Sequence, residues 1–303
     1  MSEIRRIQFQ REVALELAEP GETEEVEFLG TETPGVDFEA AAARFCARTG
    51  IDAAIRKSWK SPHAALNWWR DAIERLGVLV FHFENCAVDE IRGFSIAAPR
   101  LPIVAVNGQD APAGRVFTLL HEAGHLLLNL GGACDLVEDR LPGAQDRAVE
   151  RFCNSFAAAC LMPRGDVLHL FHLSANPDAR AWSDGAISKG AGEFCVSPEA
   201  MLRRLVDLGA ATFPFYLAAR QRYQRQYAEA EAVRRAKRGA GGPPQSRMAI
   251  RRTGPAFARI AFQAYDRDSI TTNELSEYLG ARTKHFEKIR KLAFSTATDR
   301  DDI

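Results

Sequence analysis

The sequence predicts an α+β fold, in which a small antiparallel sheet packs against helices and a helical C-terminal region follows. Three strand-like runs with short links lie between residues 78 and 107, which favours an antiparallel meander. Apolar residues recur at helical spacing on both sides of this region. The length of 303 residues suggests about two domains, and the hydrophobic content of 46% is enough for packed cores.

Two helices are expected ahead of the sheet. Apolar residues repeat at helical spacing over 38–46. A second helix is predicted over 63–76, with Ser61 as its N-cap. Residues 1–36 are polar and acid-rich, and we interpret them as an N-terminal extension that is either a docking arm or flexible.

The strand candidates are residues 78–83, 92–97 and 102–107. The first and third are almost wholly apolar, which is typical of buried strands. The second alternates polar and apolar residues and is the predicted exposed edge of the sheet. Because an exposed edge can pair with an extended peptide, Gly93, Phe94 and Ser95 are candidate substrate-binding residues.

The next helix contains a metal-binding motif. The helix is predicted to begin near Ala113 and to end at Gly131, and it is apolar nearly all round, which indicates a buried helix. Within it, His121, Glu122 and His125 form an H-E-x-x-H motif. Histidines four residues apart lie on the same helix face and can share one metal ion, with the glutamate beside them.

A hydrolytic zinc site needs a third protein ligand and keeps its fourth position for water. The acidic candidates after the motif are Asp135, Glu138, Asp139, Asp146 and Glu150. A helix is predicted over 146–161, and Glu150 borders its apolar stripe, so its carboxylate can point along a helix contact toward the histidines. We therefore expect Glu150 as the third ligand, with Asp146 as the second choice. Gly124 costs helix stability, which suggests that a neighbouring element packs closely there.

The expected chemistry is metal-assisted hydrolysis of a peptide bond. The ligands would hold one zinc ion, with manganese as an alternative, and the ion would acidify water. Glu122 would act as the catalytic base and later return the proton to the leaving amine. A purely structural role is harder to satisfy, because two buried histidines and a glutamate would each need separate hydrogen-bond partners.

The chain becomes basic after this region. Residues 197–205 have the outline of the second half of a helix-turn-helix, although a packing helix is the more economical interpretation. Residues 211–242 form a predicted basic helical linker with a Gly- and Pro-rich end. Residues 243–303 are expected to form a small helical C-terminal domain, with helices over 256–265, 272–279 and 283–294.

The remaining bulk properties bear on compartment and partners. The six cysteines lie far apart without a C-x-x-C pair, which indicates free thiols in a reducing compartment. Neither a basic-then-apolar leader nor an apolar run of ~18 residues is present, so we expect a cytoplasmic protein without membrane contact. The net charge of −1 gives no general attraction to nucleic acid.

Five segments of the chain occur together in a known family. They are Gly93–Ser95, Pro102–Asn107, Phe117–Leu126, Glu150–Ala158 and Leu161–Pro163. As a set, they resemble the ImmA/IrrE family of zinc metallopeptidases, in the branch often fused to helix-turn-helix regulators. In that family the third ligand is the glutamate four residues before the Asn of E-x-x-x-N-x-F-A, a position that Glu150 occupies here.

The resemblance implies a gluzincin-like fold, in which residues 37–210 form a zincin-like metallopeptidase domain with a helix-turn-helix-like end. It also implies cleavage of a helix-turn-helix repressor or an antitoxin protein. Such cleavage would release phage, mobile-element or DNA-damage genes from repression. The expected partner is therefore that regulatory protein.

Two other functions are compatible with the sequence. A DNA-binding transcriptional regulator with a silent metal site is suggested by residues 220–252, where ten Arg and Lys residues face only Glu229 and Glu231. An antitoxin-like protein that binds a partner through its C-terminal helices is the third hypothesis. A basic stretch is most often a solvated face, so the peptidase is favoured.

Overall fold

The computed structural model describes residues 2–19, 21–130, 132–134, 143–237 and 244–296. The first helices are α1 (Ser2–Leu17), α2 (Phe38–Thr49), α3 (Ala53–Ser58), α4 (Pro62–Arg75) and α5 (Pro112–Leu127). The strands are β1 (Leu79–Phe83), β2 (Gly93–Ile96), β3 (Ile103–Asn107) and β4 (Gly132–Cys134). The later helices are α6 (Ala144–Leu161), α7 (Arg164–Leu170), α8 (Asp184–Glu193), α9 (Pro198–Asp207), α10 (Phe213–Lys237), α11 (Gln245–Thr253), α12 (Pro255–Asp266), α13 (Thr272–Leu279) and α14 (Phe286–Phe294), with a 3₁₀ turn at Thr283–His285. The predicted α+β fold class is confirmed.

The described strands form one mixed sheet in the order β1-β3-β2-β4. β1 runs parallel to β3, with Leu79 opposite Ile103, whereas β2 is antiparallel to both β3 and β4. The predicted antiparallel meander is therefore wrong for β1. β3 separates β1 from β2, and pairing the two most apolar strands side by side buries every residue of both.

The prediction that residues 92–97 form an exposed edge is also wrong. β2 lies between β3 and β4, and β4 pairs with Gly93, Phe94 and Ser95. β4 is a three-residue strand that begins with Gly132, so its sequence carries no strand pattern that would reveal the pairing.

Helices cover both faces of the sheet, which explains why β1 and β3 are apolar almost throughout. On one face, Val80, Val104 and Val106 join a core with helices α2, α4, α5 and α6, which we call the first core. On the other face, Phe81 and Ile103 join a second core with α1 and α11–α14. Alternate side chains of one strand therefore serve different cores, as the two-residue period of a strand requires.

Helix α1 is absent from the sequence-based expectation. Ile7, Val13 and Ala14 are buried in the second core, and Arg11 Nε donates to the Leu101 carbonyl at 2.9 Å. The interpretation of residues 1–36 as a docking arm or a flexible segment is therefore wrong for Ser2–Leu17, which form a packed helix. The predicted domain boundaries stay predictions. The structure adds that α1 and α11–α14 share a core with the sheet.

Most of the predicted helices are present with shifted ends, and the structure contains others that were not predicted. The confirmed helices are α2, α4, α5, α6, α9, α10, α12, α13 and α14. Those not predicted are α1, α3, α7, α8 and α11. Apart from α1, the unpredicted helices are only six to ten residues long.

The two arginines of α9 have different environments. Arg204 is fully buried, its Nε donates to the Met162 carbonyl at 2.9 Å, and its Nη2 lies 2.7 Å from Glu39 Oε1. Arg203 is at the surface, 3.2 Å from Asp207. Arg204 therefore ties α9 to α2 and to the end of α6, and it is not available to nucleic acid.

Two further expectations concern the thiols and the membrane. The free thiols within the described side chains are Cys46, Cys86, Cys153, Cys160 and Cys195. Among the described residues, none of the helices combines the length and the apolar composition that a membrane span requires.

Replacing Phe257 by Ala is expected to lower the free energy of unfolding by about 3–5 kcal/mol. Phe257 is 1% exposed, and its ring centroid lies 6.3 Å from that of Phe81 in β1, so the change opens a cavity between α12 and the sheet. Urea unfolding followed by circular dichroism measures the loss. The control is Phe294→Ala, at a side chain that is 49% exposed, for which we expect a change within about 0.5 kcal/mol. Equal losses in the two variants would show that the second core does not stabilise the sheet.

Candidate metal centre

Helix α5 supplies three of the candidate residues from one buried stretch. His121 and Glu122 are fully buried and His125 is 5% exposed. The apolar residues around them are Val116, Leu119, Leu120, Ala123, Leu126 and Leu127. One helical turn separates the histidines, so both imidazoles lie on the face that meets α6.

Helix α6 approaches α5 closely at Gly124. A Cβ added there would lie 3.2 Å from Cys153 Sγ and 3.3 Å from Cys153 Cα, so even an alanine would press on the α6 backbone. The predicted close approach at this glycine is therefore confirmed. It brings the α6 residues on either side of Cys153 to the histidines of α5.

The two histidines and Glu150 meet at one point. His121 Nε2 lies 3.2 Å from His125 Nε2. Glu150 Oε2 lies 3.1 Å from His121 Nε2, and Glu150 Oε1 lies 3.2 Å from His125 Nε2. A ligand atom from each of the three residues lies within 4.8 Å of the others, so this buried cluster can hold a metal ion.

The other acidic candidates are not part of this cluster. Asp146 is exposed in the first turn of α6, one turn before Glu150. Asp135, Glu138 and Asp139 lie outside the described residues.

The donor set fits a tetrahedral cation. His121 Nδ1 lies 3.0 Å from Asn154 Oδ1. An amide oxygen can only accept a hydrogen bond, so the ring proton is assigned to Nδ1. The lone pair of Nε2 then faces Glu150. Glu150 Oε2 is buried and makes no hydrogen bond of normal geometry, although His121 Nε2 is 3.1 Å away. Two facing lone pairs repel, so either a proton or a metal ion must lie between this nitrogen and this oxygen. Zinc bonds of about 2.0–2.2 Å separate tetrahedral ligand atoms by about 3.3–3.5 Å, close to the observed spacing.

Glu150 is held in its charged form. Burial on its own would raise the pKa of this carboxyl, but hydrogen bonds and charges from His121 and His125 outweigh burial and lower the pKa to about 2. A ligand that is ionised at every physiological pH is suited to a cation.

Glu122 lies beside the cluster in a different environment. Both of its carboxyl oxygens are buried without a hydrogen-bond partner of normal geometry. Burial raises the pKa of Glu122, and the charge of Glu150 adds to the rise, whereas His121, His125 and the Ser95 hydroxyl act against it. A carboxyl with a raised pKa holds a proton more readily, which suits a general base that later acts as an acid.

The three β2 residues that were predicted to bind substrate lie in different places. Gly93 faces α5 so closely that a Cβ would lie 2.4 Å from Thr118 Cγ2 and 3.1 Å from Glu122 Oε1. Ser95 is buried and close enough to influence Glu122. Phe94 points to the second core, with its ring centroid 5.7 Å from that of Phe83. Contact of these residues with substrate stays a prediction, but its premise of an exposed edge is wrong.

Sequence reasoning did not assign two residues that complete the site. Asn154 orients His121, and its position four residues after Glu150 on α6 was a usable signal, because both then lie on one helix face. Ser95 comes to Glu122 from the sheet, and no local pattern marks it, since the contact depends on how β2 packs on α5.

Replacing Asn154 by Ala is expected to weaken metal binding by about 10–100-fold, because His121 loses the acceptor that fixes its tautomer and ring orientation. Competition with a chromophoric chelator measures the affinity. Asn154→Asp keeps an acceptor oxygen and should bind at least as tightly as the wild type. The exposed Asn176→Ala is a neutral control. Wild-type affinity in Asn154→Ala would show that Asn154 does not orient a ligand.

Comparison with known proteins finds a similar domain in one part of the chain. Residues 73–206 match the family model described as the IrrE N-terminal-like domain, a peptidase family. Among curated proteins, none matches the chain. One solved structure that matches is a Mycobacterium tuberculosis transcriptional regulator, with 18% identity and a TM-score of 0.36. The match covers 56% of this chain and 46% of the other, less than half its length, and a likeness this low supports no functional argument. Residues 73–206 of this chain are therefore similar to the IrrE N-terminal-like domain, which supports a metallopeptidase-like domain in this part of the chain.

Proposed function

We propose that the chain is a zinc-dependent endopeptidase of the gluzincin type, which cleaves a helix-turn-helix repressor or an antitoxin and thereby derepresses genes, as in a stress response. The observation that carries the proposal is the convergence of His121, His125 and Glu150 beside the buried carboxyl of Glu122. The family match over residues 73–206 supports a peptidase type of activity.

The residues divide the work between binding and proton transfer. His121, His125 and Glu150 would hold the ion, with zinc favoured over manganese by the nitrogen-rich tetrahedral donor set. Once bound, zinc supplies a Lewis acid that acidifies water and polarises a carbonyl. Glu122 accepts the proton of the attacking water and delivers it to the leaving amine, aided by the raised pKa that its burial causes.

The burial of the site favours a dedicated substrate over general proteolysis. Glu122 and His121 are fully buried, and β4 pairs along the stretch of β2 that lies nearest to Glu122. Within the described part of the chain, the base is therefore not exposed to an arbitrary unfolded segment. A protein partner that binds the surface and opens this region supplies the free energy for access, which is expected of a regulatory peptidase.

The described arginines of the basic stretch do not favour DNA binding as the main function. Arg220 Nε lies 3.1 Å from Glu199, Arg222 Nη2 lies 3.1 Å from Asp184, and Arg251 Nη2 lies 3.2 Å from Glu84. These ion pairs occupy guanidinium groups that would otherwise be available to contact DNA phosphates. Nucleic-acid binding and an antitoxin-like scaffold role remain the alternative proposals for this part of the chain.

Replacing Glu122 by Gln is expected to abolish cleavage while metal binding is retained, because the change removes the base without touching a ligand. Elemental analysis of the purified full chain should give about one zinc ion per wild-type and per Glu122→Gln chain. Glu150→Ala should lose most of the metal. Mass spectrometry after incubation with helix-turn-helix proteins encoded beside the gene identifies a cleaved substrate. We expect single-site cleavage by the wild type, none by either variant, and none after chelation.

Two results would contradict this proposal. One is purified wild-type protein that binds neither zinc nor manganese with a defined stoichiometry. The other is undiminished cleavage by Glu122→Gln, which would place the activity elsewhere or in a contaminant.

For the DNA-binding alternative, we expect no specific binding of duplex DNA by the full chain at physiological salt. Fluorescence anisotropy with a labelled duplex, titrated from about 50 to 200 mM salt, tests this expectation. Tight binding that weakens steeply with salt and is lost in an Arg222→Ala, Arg225→Ala double variant would instead support the regulator hypothesis.

A further inference from the structure

Two cysteine side chains meet where α2 packs against α6. Both are free thiols. Cys46 of α2 is half-buried at the edge of the first core, whereas Cys160 of α6 is fully buried within it. A hydrogen bond joins the two thiol groups. Sulfur atoms in contact across a helix interface are placed to form a disulfide with little movement of the backbone.

The packing of the neighbouring side chains places the two thiols together as well. The ring centroids of Phe45 in α2 and Phe156 in α6 lie 5.4 Å apart. Cys46 directly follows Phe45, and Cys160 lies one helical turn after Phe156. Ala159, which precedes Cys160, lines the same cavity as Cys46. The two thiols therefore lie along one close helix contact.

A cavity gives small molecules access to Cys46. Its volume is about 730 Å³, and Arg56 and Arg164 line it together with Cys46. Arg56 is fixed in place, because its Nη1 donates to the Ile51 carbonyl at 3.2 Å and its Nη2 lies 3.1 Å from Asp166. A hydroperoxide is far smaller than this cavity, so it can reach the sulfur of Cys46 beside a fixed positive charge.

The two thiols differ in acidity in the sense that such a pair needs. The hydrogen bond with Cys160 lowers the pKa of Cys46, and the charge of Arg56 lowers it further, whereas burial acts in the opposite direction. Burial raises the pKa of Cys160 well above its ordinary value, and the contact with Cys46 adds to the rise. Redox-sensitive cysteines combine an acidic, accessible thiol with a second thiol beside it.

We propose that Cys46 is a peroxide-reactive thiol and that its oxidation ends in a disulfide with Cys160. The cavity admits the oxidant, Cys46 supplies the attacking sulfur, and Cys160 resolves the oxidised product. This site is separate from the metal ligands and does not depend on the proposed peptidase activity. Helix α6 also carries Glu150, so the disulfide would join the helix of a candidate metal ligand covalently to α2.

The reaction consumes one hydroperoxide and releases two molecules of water when the oxidant is hydrogen peroxide. The Cys46 thiolate attacks one peroxide oxygen, the O–O bond breaks, and the displaced hydroxide takes up a proton. Cys46 is thereby oxidised to a sulfenic acid and the peroxide is reduced. The Cys160 sulfur then attacks the Cys46 sulfur, the S–O bond breaks, and the hydroxide leaves as water with the proton of the Cys160 thiol.

The test treats the reduced full chain with an equimolar amount of hydrogen peroxide. Intact mass spectrometry should show the loss of two hydrogen atoms, and peptide mapping without reductant should find Cys46 linked to Cys160. Dithiothreitol should restore both thiols. This measurement requires no variant. Absence of the Cys46–Cys160 peptide, with both thiols still reduced or paired elsewhere, overturns the proposal.

Cysteine variants separate the attacking thiol from the resolving one. Cys160→Ser keeps the attacking thiol, so its oxidation should stop at the sulfenic acid, which dimedone traps at Cys46. Cys46→Ser should give neither the adduct nor the disulfide. Cys86→Ser, at another half-buried thiol, is the matched control and should form the same disulfide as the wild type. Peroxide consumption by Cys46→Ser at the wild-type rate would place the reactive thiol elsewhere and overturn the proposal.

Arg56→Met tests whether the charge in the cavity activates Cys46. Without this charge the pKa of Cys46 should rise, and the second-order rate constant for peroxide should fall by about 2–10-fold. Arg164→Met removes another arginine of the same cavity and should leave the rate unchanged. An unchanged rate in Arg56→Met, or an equal fall in both variants, overturns this role of Arg56.

Discussion

The close contact between α5 and α6 at Gly124 is the constraint on which the candidate metal centre depends. A Cβ at this position would lie 3.2 Å from Phe156 Cδ1 as well as from Cys153 Sγ, so the helices approach to a distance that a larger residue would prevent. Glu150 and Asn154 lie one turn apart on the facing side of α6. The same contact therefore brings a carboxylate to Nε2 of His121 and an amide oxygen to Nδ1. Separating the helices would disturb the ligand and its orienting partner together.

The sheet fixes the other side of the site. Gly93 of β2 packs against Thr118 and Glu122 without room for a side chain, so the base is held against the backbone of a strand. That strand is in turn held by a sheet with a core on each face. Side chains such as Val104 and Ile103, neighbours in β3, belong to opposite cores. The helices at both ends of the chain thus help to position a base that lies near its middle.

The parts of this structure that were predictable have causes local in sequence. The spacing of His121 and His125 on an apolar helix and the place of Glu150 beside a buried stripe follow from helical periodicity alone. The parallel pairing of β1 with β3 and the burial of Ser95 against Glu122 do not, because they depend on which distant segments compete for the same surface. Helix α1 was missed for a related reason, since the role of its few apolar residues depends on their packing in the second core. The burial of Arg115 in α5 is likewise not visible in the sequence, because arginine side chains normally reach solvent.

Charged groups also connect the two cores. Glu74 of α4 accepts from the Ala256 amide at 3.1 Å and lies 3.4 Å from Arg259 of α12. Arg251 of α11 pairs with Glu84, which follows β1. Helix α4 also packs against α5, the helix that carries both histidines. The ion pair of Glu74 with Arg259 therefore ties the second core to a direct neighbour of the candidate metal centre.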